Sequence, residues 1–186
     1  ISMNRGKIYI GSMNMRGIRS SKPDGAIVLN VTSMQKKNST ERRDLSPMTP
    51  VINGHKGFWN FEHYWQSGKI FEGMNAQDVH SHIQWWTNLR TPKRRYPKFK
   101  NKKVLYSVFQ DNIRRDYIKS RKDIYLPEYY NLVKNTKTIE IYRELYKNGK
   151  NIIIYDFDGP RNEKKEPITC EATPSLIKEK LNDGTY

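Results

Sequence analysis

Residues 58–69, with the sequence FWNFEHYWQSGK, hold the densest group of side chains that could take part in chemistry. If this segment is helical, Glu62 and Gln66 lie one turn apart, and Lys69 lies two turns from Glu62 on the same face. A carboxylate, an amide and an ammonium group could then line one side of a ligand, beside aromatic rings able to stack on a base. The alternative interpretation is a core helix whose polar ends reach solvent.

A second pair of carboxylates, Asp156 and Asp158, follows the apolar run 151–155, which predicts a buried strand. In open α/β sheets, ligands bind beyond the carboxyl ends of the strands. Two carboxylates two residues apart on an extended chain face the same side, where they could bind Mg²⁺ or ribose hydroxyls, or act as acid and base. The alternative is a turn, because Asp-Gly-Pro is a strong turn sequence.

Positive charge is concentrated between residues 87 and 123, where 13 Lys and Arg stand against three Asp in a chain of net charge +15. Pro92 and Pro97 break any helix in its densest part, which predicts an extended loop. Aromatic residues are interleaved with the cations, a combination typical of grooves for phosphates and bases. The alternative is a solvated basic surface over core aromatics. The phosphate-binding candidates are Arg90, Lys93, Arg94, Arg95, Lys98, Lys100, Lys102 and Lys103.

Composition excludes several classes of protein. The aromatic content of 12% argues against a disordered chain, and no apolar run approaches the roughly 20 residues that a membrane span needs. The single Cys170 excludes a disulfide framework and a multi-cysteine zinc site. The four histidines lack a convincing ligand spacing, so we expect no metal and no cofactor. No signal peptide is visible, which predicts an intracellular protein of cytoplasm or nucleus, with a virion as an alternative.

The spacing of apolar residues predicts alternating strands and helices, and therefore an α/β or α+β fold in which helices surround a small sheet. We expect a single compact domain over residues 1–186, with a basic loop inserted at 90–103. Strands are predicted at 7–10, 26–31, 104–109 and 151–155, helices at 61–71, 76–89, 128–133, 136–148 and 175–181, and loops at 11–25 and 34–50.

Residues 45–69, LSPMTPVINGHKGFWNFEHYWQSGK, have Leu-Ser with neighbouring prolines, then Gly with an aromatic residue, then a Glu-His-aromatic-aromatic-Gln run followed by Lys. This pattern resembles the signature of the NADAR family, which includes N-glycosidases of riboflavin-pathway intermediates and ADP-ribose-directed N-glycosidases. The segment 130–155 also sits where that family places its last helix and strand. Pro-Met-Thr after Leu-Ser, the basic loop, and the lack of Trp-Gly near the final Asp depart from the pattern, and the composition resembles that of large DNA virus or phage proteins. The matching residues are Leu45, Ser46, Pro47, Pro50, Gly57, Phe58, Glu62, His63, Tyr64, Trp65, Gln66 and Lys69.

The resemblance implies an enzyme that cleaves an N-glycosidic bond in a ribosylated nucleotide or an ADP-ribose-type substrate, with Glu62 as a catalytic residue. We expect the ligand to lie between the Glu62 helix and the strand end that carries Asp156 and Asp158, the other catalytic candidates. The alternative is a non-catalytic nucleic-acid-binding or virion-associated structural protein that binds DNA or RNA, with no membrane partner. The substrate-binding candidates are Trp59, His63, Tyr64, Trp65, Gln66 and Lys69.

Overall fold

The computed structural model describes residues 4–13, 22–23 and 25–185. Its elements, in chain order, are β1 (Ile8–Ser12), β2 (Ile27–Asn30), α1 (Thr40–Leu45), β3 (Pro50–His55), β4 (Phe58–Asn60), α2 (Phe61–Ser67), β5 (Lys69–Phe71), α3 (Ala76–Asn88), β6 (Val104–Val108), β7 (Arg114–Arg115), α4 (Tyr117–Ser120), a π-helical turn (Arg121–Tyr125), α5 (Leu126–Val133), α6 (Lys137–Lys147), β8 (Ile152–Asp156), β9 (Thr169–Glu171) and α7 (Pro174–Asp183).

The predicted mixed α/β class, with small sheets flanked by helices, is confirmed. The contacts divide the chain into two compact units, one formed by Ile1–Ser46 with Leu132–Tyr186 and the other by Pro47–Asn131. The interpretation of residues 1–186 as a single domain stays a prediction.

The first unit is built on a four-stranded sheet with the order β2-β8-β1-β9. Strands β1, β8 and β2 are parallel, and β9 pairs with β1 in the antiparallel direction. Ile152 and Ile153 on the central strand are buried, as expected for a parallel strand covered on both faces. The strands predicted at 7–10, 26–31 and 151–155 are thereby confirmed, whereas the short polar β9 gave no periodic signal.

Part of the loop prediction for 34–50 is wrong, because residues 40–45 form α1. Ser39 caps this helix by accepting a hydrogen bond from the Arg42 backbone N–H at 3.2 Å. Asp44 then accepts hydrogen bonds from the hydroxyl and the backbone N–H of Thr138 at 2.7 and 3.1 Å, which links α1 to the start of α6. Of the loop predicted at 11–25, residues 14–21 and 24 lie outside the described part of the chain.

The second unit is organised around α2. The hairpin of β3 and β4 turns at Lys56 and Gly57, which both have positive φ, as a tight two-residue hairpin turn requires. Strand β4 then runs directly into α2. The Asn60 side chain accepts a hydrogen bond from the His63 backbone N–H at 2.8 Å and donates one to the Met48 carbonyl at 3.1 Å, so Asn60 is the N-cap of α2.

The helix predicted at 61–71 is shorter than expected. It ends at Ser67, and after Gly68 residues Lys69–Phe71 form β5, which pairs with β6, itself paired with β7. The apolar spacing did not distinguish one long helix from a helix followed by a three-residue strand.

The helix predicted at 76–89 and the strand predicted at 104–109 are confirmed as α3 and β6, and the predicted helices at 128–133, 136–148 and 175–181 as α5, α6 and α7.

Replacing Gly68 by Ala should destabilise this second unit. The added Cβ would lie 2.6 Å from a ring carbon of Phe109, whose ring packs on Tyr64 and Trp65. Such overpacking costs about 1–3 kcal/mol. The measurement is urea unfolding followed by tryptophan fluorescence, because Trp59, Trp65, Trp85 and Trp86 all lie in this unit.

Gly73→Ala is the matched control for that variant. The Gly73 position has open space around it but a φ of +88°, so the substitution costs only backbone strain, about 1 kcal/mol. A loss of unfolding free energy in Gly68→Ala no larger than in Gly73→Ala would contradict the packing argument.

Candidate functional site

The end of α2, strand β5 and the basic loop (residues 90–103) surround a cavity of about 730 Å³ in the second unit. Its wall contains six cations and four aromatic rings, and of the described residues that line it none is Asp or Glu. It is therefore suited to an anionic ligand with a flat aromatic part. The cations are Lys69, Lys93, Arg94, Arg95, Lys98 and Lys100, and the rings are Phe71, Trp85, Tyr96 and Phe99.

Glu62 lies next to this cavity without lining it. Its side chain is only 9% exposed, and its Oε1 accepts a hydrogen bond from Gln66 Nε2 at 2.9 Å. Burial lowers the pKa of Lys69, and the negative charge of Glu62 acts in the opposite direction. Gln66 and Lys69 both line the cavity. The predicted association of these three residues is present, although Lys69 reaches it from β5 rather than from the helix.

The other predicted substrate-binding residues take different places. His63, Tyr64 and Trp65 are buried in the core of the second unit, and their predicted contact with a substrate stays a prediction. Trp59 and Arg90 line a smaller cavity of about 340 Å³ beside the β3–β4 hairpin. Of the phosphate-binding candidates, Lys102 and Lys103 are exposed outside both cavities.

Two fully buried histidines lie behind the cavity. His63 accepts a hydrogen bond at Nε2 from the Lys93 backbone N–H at 3.1 Å. The ring of His82 packs 4.6 Å from that of Tyr96 and contacts the backbone of Gln66 and Ser67. Burial lowers the pKa of each histidine to about 4. Both rings are therefore neutral at neutral pH.

A partly buried carboxylate, Glu128, was missed by the sequence reasoning. It accepts a hydrogen bond from the Tyr64 hydroxyl at 3.0 Å, lies 3.1 Å from His55 Nε2 and 2.8 Å from Lys56 Nζ. Burial and then the Glu128 charge raise the pKa of Tyr64. Burial lowers the pKa of His55, although Glu128 opposes the shift. No local pattern connects these residues, because up to 73 positions separate them along the chain.

The carboxylates Asp156 and Asp158 belong to the first unit. Asp156 is the last residue of β8, and its Oδ1 accepts a hydrogen bond from the Phe157 backbone N–H at 2.7 Å. Residues 157–158 form a turn, so strand alternation does not continue to Asp158 and cannot place both carboxylates on one side. Both residues are exposed. Their catalytic role stays a prediction.

Within the described ranges, no group of three or more His, Cys, Asp or Glu residues could hold a metal ion. No helix in the same ranges is both long enough and apolar enough to cross a membrane. No protein-family model, curated protein or solved structure matches the chain. The resemblance to the NADAR family therefore stays a prediction, carried by the residues quoted for it.

Acid should destabilise the second unit through His63 and His82. Since the folded pKa of each is about 4, below the unfolded value, the neutral rings stabilise the fold fully above pH 6.5. This contribution, on the order of 3 kcal/mol for each histidine, is lost as the pH falls from 6.5 towards 4. The measurement is the free energy of unfolding against pH, followed by tryptophan fluorescence.

His82→Leu provides the control. Its ring makes no hydrogen bond of good geometry with the described residues, so the variant should match wild type within about 1 kcal/mol at pH 7.5 and show a shallower acid loss. An equal acid loss in the variant and in wild type would contradict the assignment.

Proposed function

We propose that the protein is an N-glycosidase that cleaves the bond between ribose and base in a phosphate-bearing, nucleotide-like substrate of the ADP-ribose type. The observation that carries this proposal is the basic, aromatic-lined cavity whose wall includes Gln66, the hydrogen-bond partner of Glu62. The resemblance of residues 45–69 to the NADAR signature supports the same reaction.

The cavity wall supplies groups for each part of such a ligand. The exposed cations of the basic loop bind phosphate oxygens, and arginine can do so through two parallel hydrogen bonds. Trp85 and Phe99 offer faces on which a base can stack, in place of the buried Tyr64 and Trp65. Gln66 and Lys69 mark the end of the cavity nearest to Glu62. The scissile bond therefore belongs at this end.

Cleavage of an N-glycosidic bond develops positive charge at the anomeric carbon, which a nearby carboxylate stabilises. Glu62 takes a proton from a water molecule at the Gln66 side of the cavity, and the water oxygen bonds to the anomeric carbon. The electron pair of the C–N bond leaves with the base. A base nitrogen that would leave as an anion takes up the proton that Glu62 removed from water. The pyridinium nitrogen of NAD leaves neutral and needs no proton, so Glu62 then returns its proton to solvent. Gln66 orients the Glu62 carboxylate through its 2.9 Å hydrogen bond.

Glu62→Gln tests the mechanism. Because an amide cannot accept the proton, release of free base should fall at least about a hundredfold. The melting temperature and ligand affinity should stay close to those of wild type. The measurement is chromatographic detection of base released from NAD and from a ribosylated pyrimidine phosphate.

Glu72→Gln is the matched control, because Glu72 is an exposed carboxylate of the same unit, in the turn after β5. It should keep wild-type turnover. Full activity of Glu62→Gln, with the two variants indistinguishable, would exclude Glu62 as the base.

A second candidate function is binding of DNA or RNA without catalysis. The observation that favours it is the exposure of Lys93, Arg94, Arg95, Lys98 and Lys100 on one loop. Each phosphate neutralised releases condensed counterions, so nucleic-acid affinity would fall steeply with salt. A nucleotide held inside the cavity and stacked on its rings would depend on salt far less.

The salt dependence of binding separates the two functions. If about six phosphates of duplex DNA are neutralised, a plot of the logarithm of the association constant against the logarithm of salt concentration has a slope near −5. Arg94→Gln combined with Arg95→Gln removes two of the cations and should reduce the slope to about −3. Lys137→Gln combined with Lys147→Gln, at exposed cations of α6, should leave it unchanged. Fluorescence anisotropy of a labelled oligonucleotide measures these slopes, and a flat salt dependence would exclude nucleic-acid binding.

A further inference from the structure

A hydrogen bond from the backbone of the basic loop to the His63 side chain attaches the loop to α2. The loop connects α3 to β6 and contains neither helix nor strand. Near its start, the backbone N–H of Lys93 donates a hydrogen bond to Nε2 of His63 at 3.1 Å. His63 has an exposure of 0%, so no water competes for this acceptor.

The surroundings of His63 hold its ring in place. The ring lies 5.7 Å from that of Trp59 and 5.3 Å from that of Trp86, measured between centroids. Its backbone N–H is fixed by the Asn60 cap. Packing and capping therefore both immobilise the short helix that carries His63, so its Nε2 acceptor has a fixed position.

The His63 ring provides more than packing. Because Nε2 accepts a hydrogen bond in the neutral ring, the proton resides on Nδ1. Nδ1 is buried and has no hydrogen-bond partner among the residues that the structure describes. A buried polar atom without a partner is destabilising, and an apolar side chain would fill the space without that cost. What the imidazole adds is the acceptor aimed at Lys93.

A second contact fixes the loop three residues later. Tyr96 is buried, and its ring packs 4.6 Å from that of His82 and 5.4 Å from that of Trp85. Between the two fixed points, Arg94 and Arg95 are exposed and line the large cavity. Their backbone therefore cannot move far from the cavity wall while both contacts persist.

We propose that His63 is a positioning residue, which fixes the start of the basic loop through its Nε2 so that Arg94 and Arg95 stand at the cavity wall, ready to bind phosphate groups of the ligand. An arginine whose backbone is already in place loses less conformational entropy on binding. The identity of the ligand rests on the proposed function, whereas the attachment of the loop does not. His63 then acts through the loop rather than by touching the ligand.

Three variants at His63 test the proposal. His63→Phe and His63→Met keep an apolar group between the two tryptophans but lack the acceptor, whereas His63→Gln keeps an oxygen acceptor. Lys93→Ala removes the side-chain charge but keeps the backbone N–H. The readouts are hydrogen exchange at the amide of residue 93, the dissociation constant of ADP-ribose by calorimetry, and the melting temperature.

The expected result is a split between acceptor and non-acceptor variants. In His63→Phe and His63→Met, the rate of hydrogen exchange at the amide of residue 93 should rise at least about tenfold. ADP-ribose should bind about three- to tenfold more weakly, a change that corresponds to the free energy of one hydrogen bond between neutral groups. His63→Gln should restore much of the amide protection at residue 93 and much of the affinity for ADP-ribose. Lys93→Ala should weaken binding while the amide stays protected.

Two results would overturn the proposal. Unchanged exchange at residue 93 in the folded His63→Phe or His63→Met protein would show that Nε2 does not hold the loop. Faster exchange with unchanged ADP-ribose affinity would show that the attachment does not position the arginines. If wild type binds no ADP-ribose, the proposed function fails, whereas faster exchange in the non-acceptor variants would still support the attachment of the loop.

Discussion

Burial of α2 is the constraint on which the second unit depends. Phe61, Glu62, His63, Tyr64 and Trp65 are five consecutive buried residues, so this seven-residue helix has no solvent face over most of its length. Three of the five, Glu62, His63 and Tyr64, carry ionisable groups, which are costly to bury without partners. Polar groups on the helix are therefore stabilised mainly by fixed partners within the protein, although Nδ1 of His63 has none among the described residues.

The partners of these groups connect the core to the candidate site. Glu62 is bound by Gln66 at the cavity wall, His63 by the backbone of the basic loop, and Tyr64 by Glu128 on α5. The aromatic rings of α2 pack against one another and against Phe109. The same packing that stabilises the helix thus fixes the carboxylate and the cationic loop on which the proposed chemistry depends. Lys69 joins them from β5, immediately after the helix ends.

Local features were predictable from the sequence where the local signal was strong. The apolar strand at 151–155, the Asn60 cap and the amphipathic helices have periodicity or capping residues that act over a few positions. The short strands β3, β4 and β9 have no such pattern, and the break between α2 and β5 falls within a run that also fits a helix. At the site, the Glu62–Gln66 pair follows from helical spacing and the basic loop from its cations and prolines, whereas Lys69 lies on β5 and not on the predicted helix face. The Glu128 cluster and the His63–Lys93 hydrogen bond depend on contacts between distant residues, which no local pattern encodes.

The central claim is that the cavity between α2 and the basic loop holds a phosphate-bearing, ribosylated ligand. The most direct measurement is a crystal structure of the full chain with ADP-ribose at saturating concentration. We expect ligand density inside the cavity, with phosphates against Arg94, Arg95 or Lys98 and a ribose towards Gln66. An unoccupied cavity under those conditions, or ADP-ribose bound only elsewhere on the protein, would contradict it.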